Sequence, residues 1–127
     1  MINELSKEIH ANNKAKGFYE DSKNIGEMLC LVHSEVSEAL ECDRKNKYAC
    51  KNPNVDFIND EITRNDEARY WKQEFEVSIK DTFEDELADI MIRVMDLAAF
   101  KGVDLEMHIK AKMKYNSLRP YKHGKKY

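Results

Sequence analysis

Hydrophobic residues along the chain recur mostly at three- and four-residue steps, the spacing of one face of an α-helix, with few alternating stretches. Ile2, Leu5, Ile9 and Ala15 mark a first helix ending near Lys16, where Gly17 supplies a stop. Asp21 to Asn24 offer N-cap candidates for a second helix, in which Ile25, Met28, Leu29, Val32, Val36, Ala39 and Leu40 repeat as far as Arg44. From Lys45 to about Asn59 the periodicity is lost among Lys, Asn and Asp. Pro53 disfavours helix at Asn52, so this stretch predicts a loop. Glu61 to Lys80 fits a helical stripe through Ile62, Tyr70, Trp71, Phe75 and Ile79, although Glu74 to Ile79 also alternates as a strand does; the spacing favours helix. Asp81 or Thr82 can cap a strong helix through Phe83, Leu87, Ile90, Met91, Val94, Leu97 and Ala98, closed by Gly102. Asp104 caps a last helix from Leu105 to about Ser117, and Arg119-Pro120 ends it before a basic tail over residues 120–127.

These elements predict an all-α fold with an antiparallel four-helix bundle-like core and an added helix or loop in residues 45–80. Composition agrees. The 127 residues fit a single domain, and 35% charged residues with only four Gly and two Pro exclude collagen-like and linker-like classes and disfavour a turn-rich β-sandwich. No apolar run is long enough for a bilayer span, and the acidic start MINELSKEIH does not read as a secretion signal. Cys30, Cys42 and Cys50 are odd in number and lack CxxC spacing, so they read as reduced thiols of a cytoplasmic protein.

Charge is distributed unevenly. Residues 101–127 carry eight Lys/Arg against two Asp/Glu, a local +6, which leaves −9 on residues 1–100. A nucleic-acid arm fits poorly, because the tail is short, has few interleaved aromatics and adjoins an acidic body. The alternative is a site in which carboxylates hold a cation and basic groups hold phosphates.

Two carboxylate pairs carry that alternative. Glu35 and Glu38 lie three residues apart on the second helix, and Glu86 and Asp89 three apart on the one opened by Phe83. Such pairs are common on solvated helix faces, where they do nothing. At roughly 100° per residue, however, Glu35 sits about 90° and Glu38 about 145° from an apolar stripe centred near Ile25 and Val36. Glu86 and Asp89 sit about 90° and 150° to the same side of a stripe centred near Phe83 and Val94. Antiparallel packing through these stripes would let the four converge, with Leu31 and Ile92 limiting water. Clustered carboxylates repel unless protonated or bound to a cation, and an all-oxygen set selects Mg²⁺ or Mn²⁺ over Zn²⁺ or copper.

The basic end supplies the second half. Lys112 and Asn116 continue the helical line of Leu105 and Ile109, and Arg119, Lys122, His123, Lys125 and Lys126 follow. They form either an ordinary basic tail or a grip on a polyphosphate. An acidic metal site together with a cationic cluster is what phosphoryl chemistry requires.

The segments Ser34-Glu35-Val36-Ser37-Glu38-Ala39-Leu40, Glu84-Asp85-Glu86-Leu87-Ala88-Asp89-Ile90 with Arg93 and Asp96-Leu97-Ala98, and Lys112 to Asn116 through Arg119-Pro120-Tyr121-Lys122-His123-Gly124-Lys125 resemble the MazG-like nucleoside triphosphate pyrophosphohydrolases of the all-α NTP pyrophosphatase superfamily. The resemblance leaves out residues 45–80. With 47 residues between Glu38 and Glu86, that stretch looks like an insertion into the compact family pattern. The resemblance implies Mg²⁺ at Glu35, Glu38, Glu86 and Asp89 and hydrolysis of a nucleoside triphosphate to monophosphate and pyrophosphate. It also implies a homodimer or homotetramer. It assigns substrate contacts to Lys112 and Asn116, phosphate contacts to Arg119, His123 and Lys125, and a place near the sugar or base to His10 and Phe18. Glu38, farther from the apolar stripe than Glu35, is the expected catalytic base. A nucleotide-binding scaffold without activity, and a phosphoribosyl-ATP pyrophosphohydrolase, are the competing expectations.

Overall fold

The computed structural model describes residues 1–50 and 65–126. Among these, every regular element is helical: α1 (Ile2–Ala15), α2 (Ile25–Arg44), α3 (Asn65–Ser78), α4 (Phe83–Phe100) and α5 (Leu105–Ser117), followed by a 3-10 turn over Tyr121–Gly124. The described chain is all-α, and residues 74–78, whose alternation also suited a strand, are helical. The loop expected over 45–59 and the start of the helix expected at 61 fall largely outside the described residues. None of the described helices is long and apolar enough to cross a membrane.

Local chemistry sets the helix ends. After α1, Gly17 at φ +85° lets its own N–H reach the Lys14 carbonyl and the Phe18 N–H reach that of Asn13. After α4, Gly102 at φ +65° repeats the arrangement, with Gly102 bonded to Ala99 and Val103 to Ala98. Both are Schellman closures, which satisfy carbonyls the helix leaves open. α2 ends in the same way on Asn46, which adopts a positive φ that asparagine tolerates. At the start of α4 the Asp85 N–H donates to Thr82 Oγ1 at 3.4 Å, and the Asp85 carboxylate reaches back to the Asp81 N–H at 2.9 Å.

Two compact units make up the chain: Met1–Asn24 with Ile92–Tyr127, and Ile25–Met91. α4 contributes its first half to the second unit and its remainder to the first.

In the first unit α1 lies against α5. Asp104 caps α5 by accepting from the Met107 N–H at 2.9 Å and from Asn3 Nδ2 at 2.7 Å, and these bonds, Asn3 first, hold its carboxyl below the usual range. Asn3 returns its own carbonyl oxygen to the Glu106 N–H at 3.1 Å. Removing this cap with Asp104→Ala is expected to cost about 1 kcal/mol of stability, read as a lower denaturation midpoint at unchanged slope. The inward face of α1 differs from the expected one. Leu5 and Ala15 are exposed, whereas Ser6 is buried and His10 and Asn13 are half-buried. Polar residues can occupy this face because each finds a partner there: Ser6 Oγ donates to the Ile2 carbonyl, and His10 and Asn13 bind Asp96.

In the second unit the inward line of α2 is Ile25, Met28, Val32, Glu35, Ala39 and Cys42. The stripe expected to centre on Val36 is corrected accordingly, since Val36 is 48% exposed and Leu29, Leu31 and Leu40 are also on the surface. Leu31, expected to limit water at the carboxylates, is 46% exposed, and Ile92, expected to do the same, is 39% exposed. Residues 47–50 run past the ends of α3 and α4. The Phe83 N–H donates to the Lys47 carbonyl, the Cys50 N–H to that of Ser78, and the Ala49 N–H to Glu84 Oε2 at 2.7 Å. Tyr48 packs its ring 5.5 Å from that of Phe83. On α3, Trp71 and Phe75 stack with centroids 5.3 Å apart and planes 12° from parallel, as packing aromatics do. Tyr70 is exposed. No disulfide joins the three cysteines.

Candidate metal centre and basic end

The centre lies within the second unit. Glu35 comes from the middle of α2, and Glu86 and Asp89, one turn apart, from the start of α4. Glu35, Glu86 and Asp89 each bring a carboxylate oxygen into a group whose members all lie within 4.8 Å of one another. Glu35 and Glu86 are each only 6% exposed, and Asp89 is half-buried. Carboxylates seldom occupy such positions, because ionisation away from water is expensive.

Glu86 registers that expense most strongly. Burial first, then the charges of Glu38, Glu35, Asp89 and Asp85, push its carboxyl up to about 7. The same surroundings, burial ahead of the Glu86 charge, raise the Cys42 thiol, whose sulfur lies 3.5 Å from the Asp81 carbonyl oxygen. A divalent cation would reverse this electrostatic conflict, converting mutual repulsion into shared ligation. The donors fit a hard ion: three carboxylates, all oxygen, without imidazole or thiolate, match Mg²⁺ or Mn²⁺.

Glu38 stands apart from the other three. It is exposed and outside the converging group, yet near enough for its charge to be the largest electrostatic influence on Glu86. The wheel separates Glu35 and Glu86, inside, from Asp89 and Glu38, farther out, but it does not distinguish half-buried Asp89 from exposed Glu38 and it misplaces the packing line itself.

The basic residues lie in the first unit. Lys112 Nζ and the Arg119 guanidinium approach the Tyr115 ring at 5.0 and 5.7 Å, and Arg119 also donates to the His123 carbonyl at 3.5 Å. Lys112, Arg119 and Lys125 have no carboxylate partner among the described residues. Asn116 Oδ1 is buried without a hydrogen bond. Lys122, His123 and Gly124 follow one another with positive φ, a conformation that costs non-glycine residues about 1–2 kcal/mol each. His123 and Lys125 are exposed. Among the described residues, the chain thus presents a run of cations that no acidic side chain neutralises.

The chain matches no protein-family model, curated protein or solved structure.

Of the remaining expected residues, Phe18 is 62% exposed and His10 is half-buried in a cluster with Asp96, Asn13, Tyr19 and Phe100. Sequence reasoning gave Asp96 and Tyr19 no role. The available signal was a carboxylate at Asp96 inside the apolar run from Val94 to Ala99. His33 and His108 are exposed and lie outside the carboxylate group.

Proposed function

We propose that this protein is a Mg²⁺-dependent nucleoside triphosphate pyrophosphohydrolase of the MazG-like type, with an antiparallel four-helix core. The observation that carries the reading is the convergence of Glu35, Glu86 and Asp89 at a largely buried group of carboxylates whose charges oppose the ionisation of Glu86. Glu35, Glu86 and Asp89 would hold Mg²⁺, or Mn²⁺ in its place. When bound, the ion supplies charge neutralisation on the phosphates and a more acidic water. Glu38 is the proposed base. Open to solvent, it accepts a proton from the water whose oxygen bonds to the α-phosphorus, while the bond from that phosphorus to the bridging oxygen breaks. The products are the monophosphate and pyrophosphate. Lys112, Asn116, Arg119, His123 and Lys125 are proposed to bind the phosphates, supported by the unneutralised cations of the basic end. Exposed Leu29, Val36, Leu40, Leu87 and Met91 support a homodimer or homotetramer.

The test is pyrophosphate release from a panel of canonical and modified ribo- and deoxyribonucleoside triphosphates, with Mg²⁺ and with excess EDTA. Metal-dependent release with monophosphate as co-product is expected. Nucleotide binding without release would support a scaffold instead, and release from phosphoribosyl-ATP alone would identify the related activity.

A further inference from the structure

We infer that Asp96 is a positioning residue that fixes the tautomer of His10, so that His10 Nε2 accepts a hydrogen bond from a nucleoside donor group. The inference deepens the nucleotide reading above and rests on it for the ligand class. All of its residues lie in the first unit.

Asp96 is a buried carboxylate, 8% exposed, and both of its oxygens are engaged: Oδ1 meets His10 Nδ1 at 2.7 Å, and Oδ2 accepts from Asn13 Nδ2 at 2.8 Å. An ionised carboxylate only accepts, so Nδ1 must carry the proton. In the neutral ring Nε2 is then the acceptor, by the same logic through which an outer carboxylate orients a functional histidine elsewhere. Nε2 itself has no partner among the described residues and is not among the buried unpartnered atoms, so it is open to water. The imidazole is therefore held on one side and available on the other.

Its surroundings suit a flat ring. The Tyr19 ring meets His10 edge-on at 4.6 Å and lies 5.3 Å from Phe100, which gives an aromatic wall, and Phe18 is exposed next to Tyr19 in sequence. The Tyr19 hydroxyl is buried beside Asp96; burial first, then its interaction with the Asp96 carboxylate, raises the phenol far above its ordinary range, so it stays a neutral O–H. A pin that only fastened α1 to α4 would need neither an open Nε2 nor this wall. The donor that fits is an N–H or O–H on a planar or sugar-bearing group: a ribose hydroxyl or an exocyclic amine of a base.

Two substitutions separate the roles. His10→Asn keeps an amide N–H near the Nδ1 position, and so the bond to Asp96, but removes Nε2. His10→Gln places an amide near the Nε2 position and gives up Asp96. The experiment follows the His10 ring resonances in full-length protein with ¹⁵N-labelled imidazoles, assigned by their loss in His10→Asn. Monophosphates of adenosine, inosine, cytidine and uridine are titrated, each with its 2′-deoxy counterpart. No hydrolysis is needed. At a pH where its ring is neutral, the free protein should show protonated Nδ1 and bare Nε2, and Asp96→Asn should populate both tautomers. Nucleotide should move the Nε2 resonance. Loss of the shift with every deoxy compound identifies the hydroxyl as donor, and loss with inosine and uridine identifies the amine. Affinity should fall roughly 3–10-fold in His10→Asn, the worth of one hydrogen bond, with the thermal midpoint nearly unchanged, and His10→Gln should recover part of it. An Nε2 resonance that none of the eight nucleotides moves, or native affinity in His10→Asn, overturns the inference. Should Nε2 respond while no triphosphate releases pyrophosphate, the hydrolytic reading fails and this one stands; hydrolysis with an unmoved Nε2 gives the reverse.

Discussion

Glu86→Gln is expected to make the metal-free protein more stable at alkaline pH and to remove its stabilisation by Mg²⁺. The sign follows from the raised carboxyl of Glu86, up to about 7 against an ordinary 4.5, caused first by burial and then by Glu38, Glu35 and Asp89. The folded state holds this proton more tightly than the unfolded chain does. Its contribution is therefore fully present below the unfolded value and is lost as pH rises from about 4.5 through about 7. Without metal, wild-type stability should decline across that window. Glutamine has the same shape without a charge, so the variant should escape the decline and gain on the order of 3 kcal/mol at pH 8. With metal the order reverses. A cation held at 100 times its dissociation constant stabilises by about 2.7 kcal/mol, and this should appear in wild type, increase with pH as Glu86 ionises, and be absent from the variant. Thermal or urea unfolding at pH 5 and pH 8, with Mg²⁺ and with EDTA, reads all four conditions. A wild type indifferent to Mg²⁺ at pH 8 would sink the metal centre.

The helices of this chain were easy to read because their ends are chemically explicit. Gly17 and Gly102 can take the left-handed turn that closes α1 and α4, Thr82 and Asp104 have the oxygens that open α4 and α5, and each does so. Asn46 closes α2 by the same geometry but was less visible, because asparagine also occurs in loops of every kind.

The packing faces were harder, and α2 shows why. It carries apolar residues on two lines, one through Ile25, Met28, Val32 and Ala39 and one through Leu29, Val36 and Leu40, so an average over both falls between them. What distinguishes the buried line is that it includes Glu35, a residue that every pattern rule assigns to the surface. The same happens on α1, where Ser6, His10 and Asn13 face inward and Leu5 outward. Periodicity counts hydrophobic residues and cannot see that a polar residue has a buried partner. Local rules therefore failed at a group of carboxylates and at an Asp–His–Asn cluster, where buried polar residues interrupt the apolar pattern.

The separation of Glu38 from the converging carboxylates leads to the second large effect. If Glu38 is the base and Glu35, Glu86 and Asp89 are the ligands, substitutions should divide into two kinds. Glu38→Gln retains size and polarity and loses only the ability to take a proton. Turnover of the preferred triphosphate should fall 10²–10⁴-fold, the usual contribution of a positioned base, while Mg²⁺ continues to stabilise the protein. Removing Glu38's charge also relieves Glu86, which should ionise at lower pH and bind metal no worse than before. Asp89→Ala takes away a ligand. It should lose turnover and Mg²⁺ stabilisation together, with helical content preserved because Asp89 is half-buried on one turn of a capped helix. Steady-state pyrophosphate release and metal-dependent unfolding, measured on the same preparations, distinguish the two patterns. If Glu38→Gln instead abolishes the stabilisation, Glu38 moves into the ligand shell and another group must accept the proton. If both variants keep wild-type turnover, the carboxylates are a structural cluster and the reaction lies elsewhere.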